Sequence, residues 1–99
     1  MAKRIPLVQS GNGYSAEIPQ RPHVQTVYVS NAQAERVDGR GPGYFVIIPL
    51  SVPRAAEWIV TQEADTVMVS PPEGGLHWAQ HTITVVAPRG QQVDVRGNM

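Results

Sequence analysis

The chain has no cysteine, a single lysine and a single phenylalanine among its 99 residues. The missing cysteine excludes a disulfide framework, a thiolate metal site and a cysteine nucleophile together. It leaves the compartment open, because a cysteine-free domain folds in oxidising or reducing surroundings alike. Charge is also scarce, at 16% against a typical ~25%. Eight basic and eight acidic side chains cancel, so no global field draws the protein to nucleic acid or to an anionic membrane. Long apolar runs are absent too. The longest, Tyr44 to Leu50, is interrupted by Pro49 and falls far short of the ~20 residues that span a bilayer. Met1 to Pro6 carries two basic residues with no apolar stretch of signal-peptide length behind it. The expectation is a soluble protein without a signal peptide.

Helical periodicity is the last thing lacking. No stretch repeats apolar residues at three- and four-residue spacing over three turns, whereas alternation with period two recurs. Nine glycines and nine prolines read as punctuation between short strands, since Val-rich runs such as Thr82 to Val86 argue against disorder. Ile5 to Gln9 and Tyr14 to Ile18, joined through Gly11-Asn12-Gly13, form a predicted hairpin. Pro6 and Pro19 confine its ends to a sheet edge or to an extended arm.

Further strands are predicted at Val24 to Ser30, Tyr44 to Pro49, Trp58 to Thr61, Thr66 to Ser70, Leu76 to Val86 (bent or broken near Ala79-Gln80) and Gln92 to Val95. Ser51 to Glu57 suits one helical turn. Asn31 to Gly43 is polar and glycine-rich and reads as a long loop, of the kind that is usually functional. Turn signals at intervals of roughly eight to twelve residues define an all-β protein, a small antiparallel β-sandwich or barrel with an N-terminal hairpin or arm. The division expected is 1–23 as hairpin or arm and 24–99 as the domain. The predicted core is Val27, Val29, Phe45, Ile47, Val60, Val67, Val69, Ile83 and Val85.

Few residues invite a chemical role. His77 and His81 have the i, i+4 spacing that shares a metal on a helix, but in a strand that spacing is about 13 Å, too far for ligands bound at ~2 Å. The serines at 10, 15, 30, 51 and 70 lack a nucleophile-elbow context. Glu63 and Asp65 fall in a solvated turn, and the glycines at 39, 41 and 43 lack the Lys-Ser/Thr of a phosphate loop. No catalytic residue, cofactor or metal is expected, and the chain reads as a non-enzyme. Seven of the eight basic residues are arginine, which either reflects codon usage or suits bidentate interface contacts. Aromatics near Arg36 and Arg40 raise the alternative of a small nucleic-acid-binding β-barrel, against which the zero net charge counts. An inhibitor covering another protein's active surface has the same composition as an assembly module.

The opening Met1-Ala2-Lys3-Arg4-Ile5-Pro6-Leu7-Val8, the Gly/Asn turn, and Tyr14-Ser15-Ala16-Glu17-Ile18-Pro19 resemble the start of small bacteriophage virion structural proteins, the capsid-decorating or tail-associated class. The resemblance covers about a fifth of the chain and implies a β-sandwich or barrel, no enzymatic activity, protein subunits as partners and a location on the virion, the alternative being the cytoplasm. An arm of this kind lies across neighbouring subunits and donates strand hydrogen bonds. The candidate partner-binding residues are therefore Ile5, Leu7, Val8, Tyr14 and Ile18, with Arg36 and Arg40 as charged rim contacts. The expected assembly is a homo-oligomer that binds neither membrane nor, in the leading reading, nucleic acid.

Overall fold

A computed structural model describes residues 2–19, 21, 23–73 and 81–97. Ten strands form two five-stranded sheets that pack as a small β-sandwich. In chain order they are β1 (Lys3–Ile5), β2 (Val8–Ser10), β3 (Gly13–Ile18), β4 (Thr26–Val29), β5 (Gln33–Gly39), β6 (Tyr44–Pro49), β7 (Ile59–Glu63), β8 (Thr66–Ser70), β9 (Thr82–Pro88) and β10 (Asp94–Gly97), with a 3-10 turn at Ala55–Glu57. One sheet has the order β1-β7-β8-β4-β10 and the other β2-β3-β6-β9-β5; they are called sheet A and sheet B below. Among the described residues no helix is long and apolar enough to cross a membrane.

Alternation builds the core. Val27, Val29, Val60, Val67 and Val69 point inward from sheet A, and Ala16, Ile18, Val46, Ile48, Ile83 and Val85 from sheet B, all buried. The N-terminal residues belong to this core. β1 pairs antiparallel with β7, and β3 pairs with β6 over its whole length. Pro6 and Leu7, between β1 and β2, carry the chain from sheet A to sheet B. Of the two readings left open, arm or hairpin, residues 8–18 take the second, as β2 and β3 of sheet B, whereas Ile5, expected in the hairpin's first strand, pairs in β1 with β7 of sheet A.

Two further expectations change. Gln33–Gly39, read as loop, is the edge strand β5, paired parallel to β9 over seven residues. Its polarity is that of an edge, with alternating half-buried Ala34 and Arg36 and exposed Glu35 and Val37. Sequence phase also misplaced β6. Tyr44, Val46 and Ile48 face the core, while Phe45 and Ile47 lie half-buried on the outer face. Both sets are apolar, so alternation alone does not choose between them.

Five of the eight strand pairs are antiparallel and three (β4/β8, β4/β10 and β5/β9) are parallel. The parallel pairs need no crossover helix, because the chain passes through the opposite sheet between them. Leu76 to Gln80, the first half of a predicted strand, and His77 lie outside the described residues.

Candidate functional site

Two surfaces stand out, and both grow from sheet B. The first is its outer face. Residue registers align Glu17, Phe45, Val86 and Val37 across β3, β6, β9 and β5. The adjacent row aligns Val8, Ser15, Ile47, Thr84 and Glu35. Phe45, Ile47 and Val86 are half-buried, and Val8 and Val37 at the two ends are 62% and 42% exposed. β2, at the edge, is exposed at every residue, so one rank of its backbone groups faces away from β3. An apolar sheet face contiguous with an uncovered edge is the usual form of a surface that meets another chain.

The second surface lies at the end of the sandwich where the edge strands β5 and β10 approach. There a cleft of about 540 Å³ is lined by His23, Gln25, Arg36, Gln91, Gln92 and Asp94, with Val93. Arg36 occupies an inward position, in register with buried Val85 and Val46. Its aliphatic stem continues a core row, and the guanidinium turns toward the end of β9. Its Nη2 donates to the Pro88 carbonyl at 3.2 Å and lies 3.5 Å from the Asp38 carboxylate. Its Nε is buried with no hydrogen-bond partner.

The same Pro88 carbonyl accepts from the Gln91 N–H at 3.0 Å, closing the turn after β9. The Gln91 amide nitrogen lies 2.9 Å from His23 Nε2, and the His23 ring meets Tyr44 edge to face at 6.3 Å. Asp94 on the far wall is tied to Arg96 at 2.6 Å. Arg40 and Arg89 line a neighbouring hollow with Asp38 and Gly39.

Of the residues singled out from sequence, Ile5 and Ile18 are buried in the chain's own core and present nothing to a partner. Leu7 and Tyr14 are partly buried and pack on that core. Val8 remains outside on β2. Arg36 and Arg40 lie on and just past β5, at the opposite edge of the sheet from Val8, so the seven residues do not form one patch. The outer face joins the two edges through Phe45, Ile47 and Val86, none of which the sequence reading assigned to a surface. His23, Gln25, Gln91 and Gln92 were given no binding role; only the inward phase of Arg36, once β5 is seen as a strand, points to the cleft.

A third feature lies on sheet A. Its outer face carries Arg4, Thr61, Met68, Tyr28 and Arg96 in one register row, beside a shallow groove lined in part by Tyr28, Met68 and Arg96. Among the described residues no group of three or more His, Cys, Asp or Glu side chains is placed to hold a metal ion. Comparison of the chain with protein families, curated proteins and solved structures found no match.

Proposed function

We propose that this protein is a non-enzymatic assembly protein that binds neighbouring protein subunits through the outer face of sheet B. The observation that carries the reading is the apolar centre Phe45, Ile47 and Val86, bordered by Val8 and Val37 (62% and 42% exposed) and by Glu17 and Glu35, on a sheet that ends in the exposed strand β2. The occupant is a second copy of the chain. A chain of zero net charge meets no long-range repulsion from its own copies. The half-buried Phe45, Ile47 and Val86 also offer an apolar centre for an isologous contact. The resemblance of residues 1–19 to small phage structural proteins supports a virion as the setting, with decoration or stabilisation of the capsid as the role.

Sedimentation of the chain and of the double variant Val8→Lys/Val37→Lys tests this. The parent associates, and the variant sediments as a monomer with unchanged circular dichroism. A parent chain that is monomeric at its highest soluble concentration overturns the self-association.

A second reading has one observation in its favour. The outer row of sheet A sets Tyr28 and Met68 between Arg4 and Arg96, the combination of stacking surface and cations that single-stranded nucleic acid uses. Salt-dependent binding of an oligonucleotide, lost in Tyr28→Ala, is its signature. Arg96 already pairs with Asp94, which weakens the cationic side of that row and leaves subunit binding the better-supported function.

A further inference from the structure

We propose that the cleft between β5 and β10 is a docking site for an extended, carboxylate-bearing peptide segment of a partner subunit, with Arg36 as the residue that receives the carboxylate. The proposal deepens the assembly reading by naming a second contact and its chemistry.

The argument begins with the two edges. β5 ends sheet B and β10 ends sheet A, and neither continues into the other as a ladder. At one end they touch. A Cβ on Gly97 would stand 2.8 Å from the Ala34 nitrogen and 2.9 Å from the Ala32 carbonyl oxygen, so only glycine fits there. At the other end, Arg36 of β5 and Asp94 of β10 stand on the walls of the cleft. The gap is thus a wedge between two strand edges, closed at Gly97 and open toward His23 and Gln91. The two strands lie too close for another to fit between them, so an extended segment lies along the open mouth of the wedge, with its side chains in the adjoining hollows.

Charge selects which segment. Arg36, Arg40 and Arg89 against Asp38 leave the wedge and its neighbouring hollow at +2, counting Asp94 as neutralised by Arg96. The whole chain is neutral, so this end is locally positive. The Arg36 side chain is 28% exposed, with Nη2 holding the Pro88 carbonyl at 3.2 Å and pairing with Asp38 at 3.5 Å, while the unpartnered Nε is buried out of a ligand's reach. The exposed Nη side of this planar group is the part that meets a carboxylate. The flanking Gln25, Gln91 and Gln92 side chains both donate and accept, as a peptide backbone requires. Asp38 at the rim opposes a dianion more than a single carboxylate, which favours an acidic peptide over a phosphate group.

The test uses the full chain and a blocked peptide of about six residues, the length of a typical strand, in which valine alternates with serine and one serine is replaced by glutamate. Binding is followed by NMR on the Arg36 Nε–H and on the Gln25, Gln91 and Gln92 side-chain amides. Those signals shift with the glutamate peptide, while a glutamine counterpart binds at least tenfold more weakly. Arg36→Gln lowers the affinity at least tenfold, and Arg36→Lys rescues it only in part because the fork is lost. Should Arg36→Gln fail to fold, exposed Arg40→Gln/Arg89→Gln still weakens binding several-fold. Equal binding of a lysine peptide, an unchanged affinity in both arginine variants, or an oligonucleotide that displaces the glutamate peptide overturns the proposal. Repeating the titration on Val8→Lys/Val37→Lys separates the two contacts, since the cleft binds its peptide whether or not the chain associates through sheet B.

Discussion

Ile5 stands opposite Val60 in the β1–β7 ladder, and both are buried between the sheets. This pair ties Lys3–Ile5 to the middle of the chain and makes β1 part of the folding unit. Ile5→Ala is expected to cost about 2–5 kcal/mol through lost burial and the cavity left behind, a large share of the 5–15 kcal/mol typical of a whole domain. Val8→Ala, three residues on and exposed, stays within about 0.5 kcal/mol. Urea unfolding of both variants measures the contrast. Removal of residues 2–19 takes away β1, β2 and β3 and abolishes cooperative unfolding; a truncated chain that still unfolds in one sharp step contradicts this assignment.

Ala64 sits in the left-handed region at φ 53 in the turn between β7 and β8. The turn also anchors the next sheet neighbour, because the Asp65 carbonyl accepts from the Gln25 N–H at 2.8 Å and the Thr26 N–H at 3.3 Å. A left-handed alanine costs roughly 1–2 kcal/mol, while glycine adds roughly 0.4–1 kcal/mol of unfolded-state entropy to be lost. Ala64→Gly is therefore expected to stabilise the protein by about 0.5–1 kcal/mol. Thermal melting reads this as a rise of several degrees, at about 4–8 °C per kcal/mol for a domain of this size. A lower melting temperature shows that the turn carries no such strain.

Arg54 Nε and Nη2 reach the two carboxylate oxygens of Glu57 at 2.9 and 2.8 Å, and its Nη1 donates to the Glu73 carbonyl at 2.8 Å. The hydrogen bonds from Arg54 hold the Glu57 carboxyl below its ordinary value, against a smaller opposing effect of desolvation. A carboxyl depressed in the folded state stabilises the protein above its unfolded pKa, and that contribution is lost as pH falls through the folded one. Arg54→Gln should move the Glu57 midpoint upward in an NMR titration. Its destabilisation relative to the parent should be present near neutral pH and fade in acid. Both groups are exposed, so added salt shrinks the difference. A midpoint that stays put in the variant removes the pair as the cause.

The sandwich was legible because its strands alternate cleanly. Val27 and Val29, Val67 and Val69, and Ile83 and Val85 each announce an inward face, and each is buried. β5 was not, because an edge strand needs only one half-covered face; Gln33 to Gly39 spends its alternation on Ala34 and Arg36, a pattern that reads as polar loop. The cleft was harder still. His23, Arg36 and Gln91 are far apart in the chain, and only the approach of two edge strands, fixed by the close fit at Gly97, brings them to one wall. The outer strip depends on register, which places Phe45 beside Val86 and Ile47 beside Thr84, and register between distant strands is not written in local sequence.

The phase of β6 supplies the sharpest comparison, because two neighbouring isoleucines make opposite demands. Ile48 is fully buried and pairs across the ladder with Tyr14, whereas Ile47 is half-buried on the outer face opposite Ser15 and Thr84. The same truncation at each site removes the same atoms, so the difference reports the environment alone. Ile48→Ala should cost about 2–5 kcal/mol, the range for a packed core position. Ile47→Ala forfeits only partial burial and leaves no enclosed cavity, so about 0.5–1.5 kcal/mol is expected from the apolar area involved. Denaturant unfolding with an unchanged slope measures both on one scale. If the proposed contact through sheet B is real, Ile47→Ala also weakens self-association in sedimentation while Ile48→Ala, in a chain that remains folded, does not. Equal losses of stability at the two positions, or a greater loss at Ile47, reverse the assignment of which face of β6 meets the core.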